Sequence, residues 1–87
     1  MFSRTLVIQN RTGFHARPAG LFAETASKYR STITVRNGNK RSDGKSVLGL
    51  MLLGVTAGTE ITVEAEGGDE SEAVEALAAL VAARFGE

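Results

Sequence analysis

The side chains best equipped for chemistry sit together in Gly13-Phe14-His15-Ala16-Arg17-Pro18-Ala19, where one histidine is followed two residues later by arginine and three later by proline. His15 and Pro18 are the sole members of their residue types in the chain. Ala19, Phe22, Ala26 and Tyr29 then recur at helical spacing. Proline is tolerated in a first helical turn, where its missing N–H has no intrahelical partner to lose. The pattern therefore predicts a helix from about residue 16, with His15 at its mouth. An imidazole placed there faces unpaired N–H groups and the positive end of the helix dipole, a setting suited to an anion. Neutral imidazole is also a nucleophile, and a neighbouring guanidinium with helix amides would stabilise a phosphoryl group attached to it. Against this stands the ordinary alternative, an isolated histidine on the surface or in a satisfied structural role.

Other histidine chemistries find little support. The sequence has no second histidine and no cysteine, so a soft-ligand metal site cannot be assembled in one chain, and no metal or cofactor is expected. A hydrolytic triad lacks its acid, since the nearest downstream carboxylate is Glu24, well into the predicted helix. Net charge is zero but unevenly spread. Residues 1–46 carry nine Lys or Arg against two acids, and residues 47–87 carry one Arg against eight acids, so the halves stand at +7 and −7. That polarity would steer the basic side toward an acidic partner. Nucleic acid is the rival partner, but the bases are scattered singly and no aromatic residues interleave with them as in stacking sites.

At 87 residues and 43% hydrophobic, the chain fits one small domain, residues 1–87, with a single core. Without cysteine, stability rests on packing, which suits a reducing compartment. The first residues alternate apolar and polar and lack the continuous apolar run of a signal peptide. No segment reaches membrane-spanning length, so no membrane insertion is expected and the expected address is the cytoplasm.

These side chains must be positioned by a β-α-β-β-α-β-α succession. Residues 2–9 read as a first strand, with Phe2, Leu6 and Ile8 on one side. The first helix is predicted over residues 16–28, with Gly20 inside it leaving a smooth spot for a close approach. A second strand spans residues 32–36, with Ile33 and Val35 facing the core. Asn37-Gly38 signals a hairpin because both residues accept positive φ. The short polar strand after it, residues 40–43, belongs at an edge. Ser46 is suited to cap a second helix over residues 47–53. Val47, Leu48, Leu50, Met51, Leu52 and Leu53 leave that helix almost no polar face, so part of the set is expected to remain exposed as a partner surface. A fourth strand, residues 60–66, alternates Ile61, Val63 and Ala65 with polar residues, which predicts one wet face. Asp69 and Glu72 have the spacing of a capping box for the last helix. Its apolar stripe is Val74, Leu77, Ala78, Val81 and Phe85, with Arg84 in the last turn. The expected fold is an α+β open-faced sandwich, a four-stranded antiparallel sheet covered on one face by three helices.

Two stretches, G-F-H-A-R-P-A around residue 15 and G-K-S-V-L-G-L-M from residue 44, together with the order of elements, resemble the HPr family of histidine-containing phosphocarriers of the bacterial phosphoenolpyruvate-dependent phosphotransferase system. The resemblance extends over essentially the whole chain. It implies that the protein is a phosphoryl carrier and not itself an enzyme. It implies that His15 accepts a phosphoryl group at Nδ1 from phosphorylated enzyme I and passes it to an IIA domain, that Arg17 meets the phosphoryl oxygens and that Pro18 shapes the helix start. It further implies that Ser46 is the serine phosphorylated by HPr kinase/phosphorylase in some lineages, with plain N-capping as the alternative. Gly20, Leu21, Val47, Leu48 and Met51 match positions of an apolar docking surface on a monomer. The run that begins at Ser46 also resembles a nitrogen-related paralogue branch with a purely regulatory role. That branch, and a binding module working through the second helix, are the alternatives the residues leave open.

Overall fold

The computed structural model describes residues 1–87. Its elements follow the predicted order: β1 (Phe2–Val7), α1 (Ala16–Ala26), β2 (Thr32–Asn37), β3 (Lys40–Asp43), α2 (Val47–Met51), β4 (Glu60–Glu66) and α3 (Glu70–Ala82). A single tight turn, Arg84–Gly86, follows α3. The four strands form one antiparallel sheet in the order β1-β4-β2-β3, so the polar β3 lies at an edge, where its charges discourage further pairing. Register sets the two faces. Val35 opposes Val63 and Ile33 opposes Ala65 on the covered face, and all four side chains are buried. On the open face the Arg36 guanidinium donates to Glu64 at 2.9 Å. This is the α+β open-faced sandwich expected from the sequence.

Nineteen buried residues form one apolar cluster. Ala19, Phe22, Ala23 and Ala26 of α1 meet Ala73, Val74, Leu77 and Val81 of α3 over the sheet. Burial of each large side chain contributes about 1.5–3 kcal/mol before entropy is charged against it. The periodicity that placed these stripes therefore also supplies the main favourable term. Asn37 ends β2, and the turn is made one residue later than predicted. Gly38 alone takes positive φ (60°), while the Asn37 amide donates to the Leu53 carbonyl at 2.8 Å.

Element ends depart from expectation where tertiary contacts win. β1 stops at Val7 because Ile8 pairs with the turn before β4, accepting from Gly58 at 2.6 Å and donating to Thr59 at 2.9 Å. α1 ends at Ala26 and α2 at Met51, each two residues short of the predicted limit. Leu53 is nevertheless buried. α3 ends at Ala82, so Arg84 does not lie in its last turn. Arg84 and Phe85 both take left-handed backbone angles, φ 56° and 53°. Each such residue costs about 1–2 kcal/mol, which only tertiary contacts can offset. The contact is visible: Phe85 is 1% exposed and lies edge-on to Phe14 at 6.0 Å.

The capping box proposed for Asp69 and Glu72 does not form. Asp69 occupies the cap position without bonding its own helix. Its carboxylate instead accepts from the Arg30 N–H (2.9 Å), the Ser31 N–H (3.0 Å) and the Ser31 hydroxyl, tying the loop after α1 to the start of α3. The role at the helix entrance passes to Glu70, which accepts from the Gly67 N–H at 3.2 Å. The Ser31 hydroxyl above all, then the Arg30 N–H, holds the Asp69 carboxyl below the ordinary aspartate value of 3.8. A lowered folded value means stability that is present above 3.8 and lost as pH falls through that lower value. Asp69→Asn should lower the melting midpoint at neutral pH and flatten its acid dependence, read by thermal melts from neutral to about pH 2.

Candidate functional site

His15 is the residue at which the incoming loop becomes helix. Its φ and ψ are −69° and 177°, still extended, while its carbonyl accepts from the Ala19 N–H at 2.9 Å to begin the ladder of α1. The loop before it is held firmly. Gly13 takes φ 60°, and a Cβ there would sit 2.3 Å from the Val55 carbonyl oxygen, so only glycine fits. Phe14 is buried edge-on to Phe22 at 5.4 Å, and its N–H donates to the Val55 carbonyl at 3.1 Å. Pro18 is buried in the first turn. A buried phenylalanine before and a buried proline after thus fix the backbone of an exposed histidine.

The His15 imidazole is exposed and makes no capping hydrogen bond. No acid lies in the first turn of α1 to offset the helix dipole. Pro18 has no N–H and Ala19 has used its own, so the Ala16 and Arg17 amides are the donors the helix mouth retains. Arg17 is exposed, with its guanidinium donating to the Phe85 carbonyl at 3.2 Å. The site therefore offers a free imidazole, two open amides and a tethered cation. That set can receive a small tetrahedral anion from solvent.

The family of phosphocarriers described as the PTS HPr component phosphorylation site matches residues 2–83. The chain belongs to the HPr family. The phosphocarrier protein HPr of Neisseria meningitidis is 41% identical over 87 residues, covering 100% of this chain and 98% of that one. The HPr-like protein Crh of Bacillus subtilis is 42% identical over 81 residues, covering 93% of this chain and 95% of its own. Among solved structures, HPr-C-His of Thermoanaerobacter tengcongensis superposes with a TM-score of 0.97 at 49% identity, over 100% of this chain and 98% of that one. HPr proteins are phosphocarriers of the phosphotransferase system rather than enzymes, and this chain shares their fold throughout.

In this HPr-family chain the remaining candidate residues lie on α1 and α2, which pack against each other. Gly20 is half-buried, and a Cβ there would meet nothing within 4 Å, so the smooth spot expected from the sequence opens outward. Leu21 is half-buried against the core. Val47 (40% exposed), Leu48 (67%) and Met51 (41%) project from α2, while Leu50 beneath them is fully buried. Leu52, the most exposed of the group at 69%, belongs to the apolar run expected to stay partly exposed but was not among the docking positions implied by the resemblance. Its signal was available, because Leu48 and Leu52 are four apart and share a helix face. Ser46 caps α2 as expected, its hydroxyl accepting from the Gly49 N–H at 3.0 Å. Phe85, Asn10, Thr12 and Glu87 around the His15 loop carried no comparable signal; only the folded chain brings them there.

No helix is long and apolar enough to cross a membrane. Of the cations, Arg4 and Arg36 have carboxylate partners at 2.8 and 2.9 Å on or beside the sheet, whereas Arg17 has none within ion-pair range. The cation nearest the candidate site in sequence is thus available to an incoming anion.

Proposed function

We propose that this chain carries a phosphoryl group on His15, taking it from phosphorylated enzyme I and giving it to an IIA domain. The observation that carries the reading is the exposed, unbonded imidazole at a helix mouth that keeps open amides and a nearby guanidinium. Attack by the ring nitrogen on the donor phosphohistidine phosphorus forms one N–P bond as the donor's breaks. The ring proton leaves to solvent or to the departing imidazole. Arg17 shifts from the Phe85 carbonyl to the phosphoryl oxygens, exchanging a neutral acceptor for charged ones. Because the site is open, the group stays accessible to the next acceptor. The protein acts in the cytoplasm as a monomer, with residues 1–87 as one domain. Incubation with enzyme I and phosphoenolpyruvate should add one acid-labile, alkali-stable phosphoryl group; the absence of any label would end this reading.

Regulation at Ser46 has its own support, because the HPr-like protein Crh is 42% identical, beside 41% for the Neisseria phosphocarrier, and Ser46 adjoins the exposed α2 side chains. Phosphorylation there, by HPr kinase/phosphorylase, would add about −1.5 to −2 charge at a helix start, leaving α2 folded while changing what its face meets. Ser46→Asp keeps a capping oxygen and should weaken binding to enzyme I about tenfold with little change in melting midpoint. Calorimetric titration reads it; unchanged affinity would leave Ser46 as a cap alone.

A further inference from the structure

The short segment 83–87 reaches His15 from both sides. After His15, the Phe85 carbonyl holds Arg17 at 3.2 Å. Before His15, the Glu87 carboxylate accepts from the Thr12 hydroxyl at 2.6 Å, the Thr12 N–H at 3.3 Å and the Asn10 amide at 3.4 Å. Both attachments rest on anchored residues. Phe85 is 1% exposed, and Asn10, also 1% exposed, spends its amide on the Gly13 carbonyl at 2.8 Å as well. The left-handed angles at Arg84 and Phe85 are what turn the chain back to make this reach.

From this geometry we infer that Glu87 is a positioning residue for phosphoryl transfer at His15: its carboxylate clamps Thr12 and Asn10 and so fixes the loop that aims the imidazole. The inference rests on the phosphocarrier reading above. Between the buried Asn10 and Phe14 lie Arg11, which is exposed, Thr12, which is half-buried, and Gly13, which is buried. Without Glu87 the Thr12 N–H and hydroxyl would face water and the loop would lose its outer tether. A carboxylate suits the place, since acceptors carrying charge make the stronger hydrogen bonds. It also sits among cations: Arg11 and Arg84 line the same groove, and Arg17 approaches from α1. The Thr12 hydroxyl first, with the Thr12 N–H, the Asn10 amide and the Arg17 charge adding to it, holds the Glu87 carboxyl below its ordinary 4.5. The clamp is therefore charged at neutral pH.

Glu87→Gln tests this, with Glu87→Ala as a second variant. In the unphosphorylated protein the Thr12 amide resonance should follow a titration with a midpoint below 4.5, and that step should vanish in Glu87→Gln. The maximal rate of phosphoryl acceptance from enzyme I should fall about tenfold in both variants with little change in KM, as expected for lost aim rather than lost docking. By the same linkage as at Asp69, the melting midpoint at neutral pH should fall slightly, with both variants still folded at the assay temperature. The role is overturned if the Thr12 amide ignores Glu87, if Glu87→Gln is phosphorylated at the full rate, or if the slower variants prove unfolded at the assay temperature. Failure of the parent chain to accept any label would instead overturn the phosphocarrier reading itself, so the two failures are told apart.

Discussion

Replacing His15 with alanine is expected to abolish phosphoryl acceptance while leaving the fold intact. The two halves of that statement rest on different observations. His15 contributes its backbone to the start of α1, through the carbonyl that accepts from Ala19, and alanine supplies the same carbonyl. The imidazole is exposed and bonds nothing in the chain, so its removal opens no cavity and strands no polar group. The stability change should stay within about 0.5–1 kcal/mol, the range of exposed substitutions and of caps that lack a side-chain bond. Chemically the loss should be total. No cysteine is present and no second histidine exists to take the group, and removing a nucleophile acts on a scale of about a thousandfold or more. The measurement is intact-mass or phosphate labelling after incubation with enzyme I and phosphoenolpyruvate, beside a thermal melt. Label persisting on the alanine variant at the parent rate would remove His15 from the mechanism.

What could be read from the sequence, and what could not, divides along a physical line. The helix mouth was legible because proline has few permitted places, and Pro18 confines the start of α1 to within a residue or two. The cap at Ser46 was legible because a short side-chain oxygen before an apolar run has one favourable use, and the Gly49 N–H takes it. The alternation in β4 and β2 was legible because a strand's faces have period two. Asp69 had equally local credentials and went elsewhere. Its carboxylate found three donors in the loop after α1, more than its own helix offered, and no local pattern foretells a partner 38 residues away. The left-handed turn at Arg84 and Phe85 opposes local preference outright, so only long-range contacts, those of the Phe14 ring, Arg17 and Thr12, explain it. Asn10 and Thr12 read as turn residues by type, and nothing in that type says that Glu87 will bind them. The candidate chemistry was thus visible in the order of residues, while the contacts around it are long-range.

The second large effect concerns the apolar side chains of α2. Leu48 is 67% exposed and stands above the buried Leu50, on a helix packed against the one that begins at His15. A water-facing leucine adds little to the fold of the monomer, so under the proposed function its contribution comes when a partner covers it. Truncating such a central contact should cost about 2 kcal/mol, or about thirtyfold in Kd for enzyme I or IIA. Leu48→Ala removes the apolar contact alone, and Leu48→Asp adds a charge opposed to the acidic partner that the basic residues 1–46 would attract. Asp should therefore be the more damaging of the two. That ordering is informative because folding points the other way. Residue 48 lies in the first turn of α2, where a carboxylate is favoured by the helix dipole, so Leu48→Asp should not melt the helix. Weaker binding with an unchanged melting midpoint then reports docking and nothing else. Met51→Ala should act in the same direction with a smaller effect, since that side chain is already 41% exposed rather than 67%. Titration calorimetry against each partner decides the matter: equal affinity for the parent and both Leu48 variants would show that partners approach His15 from another side.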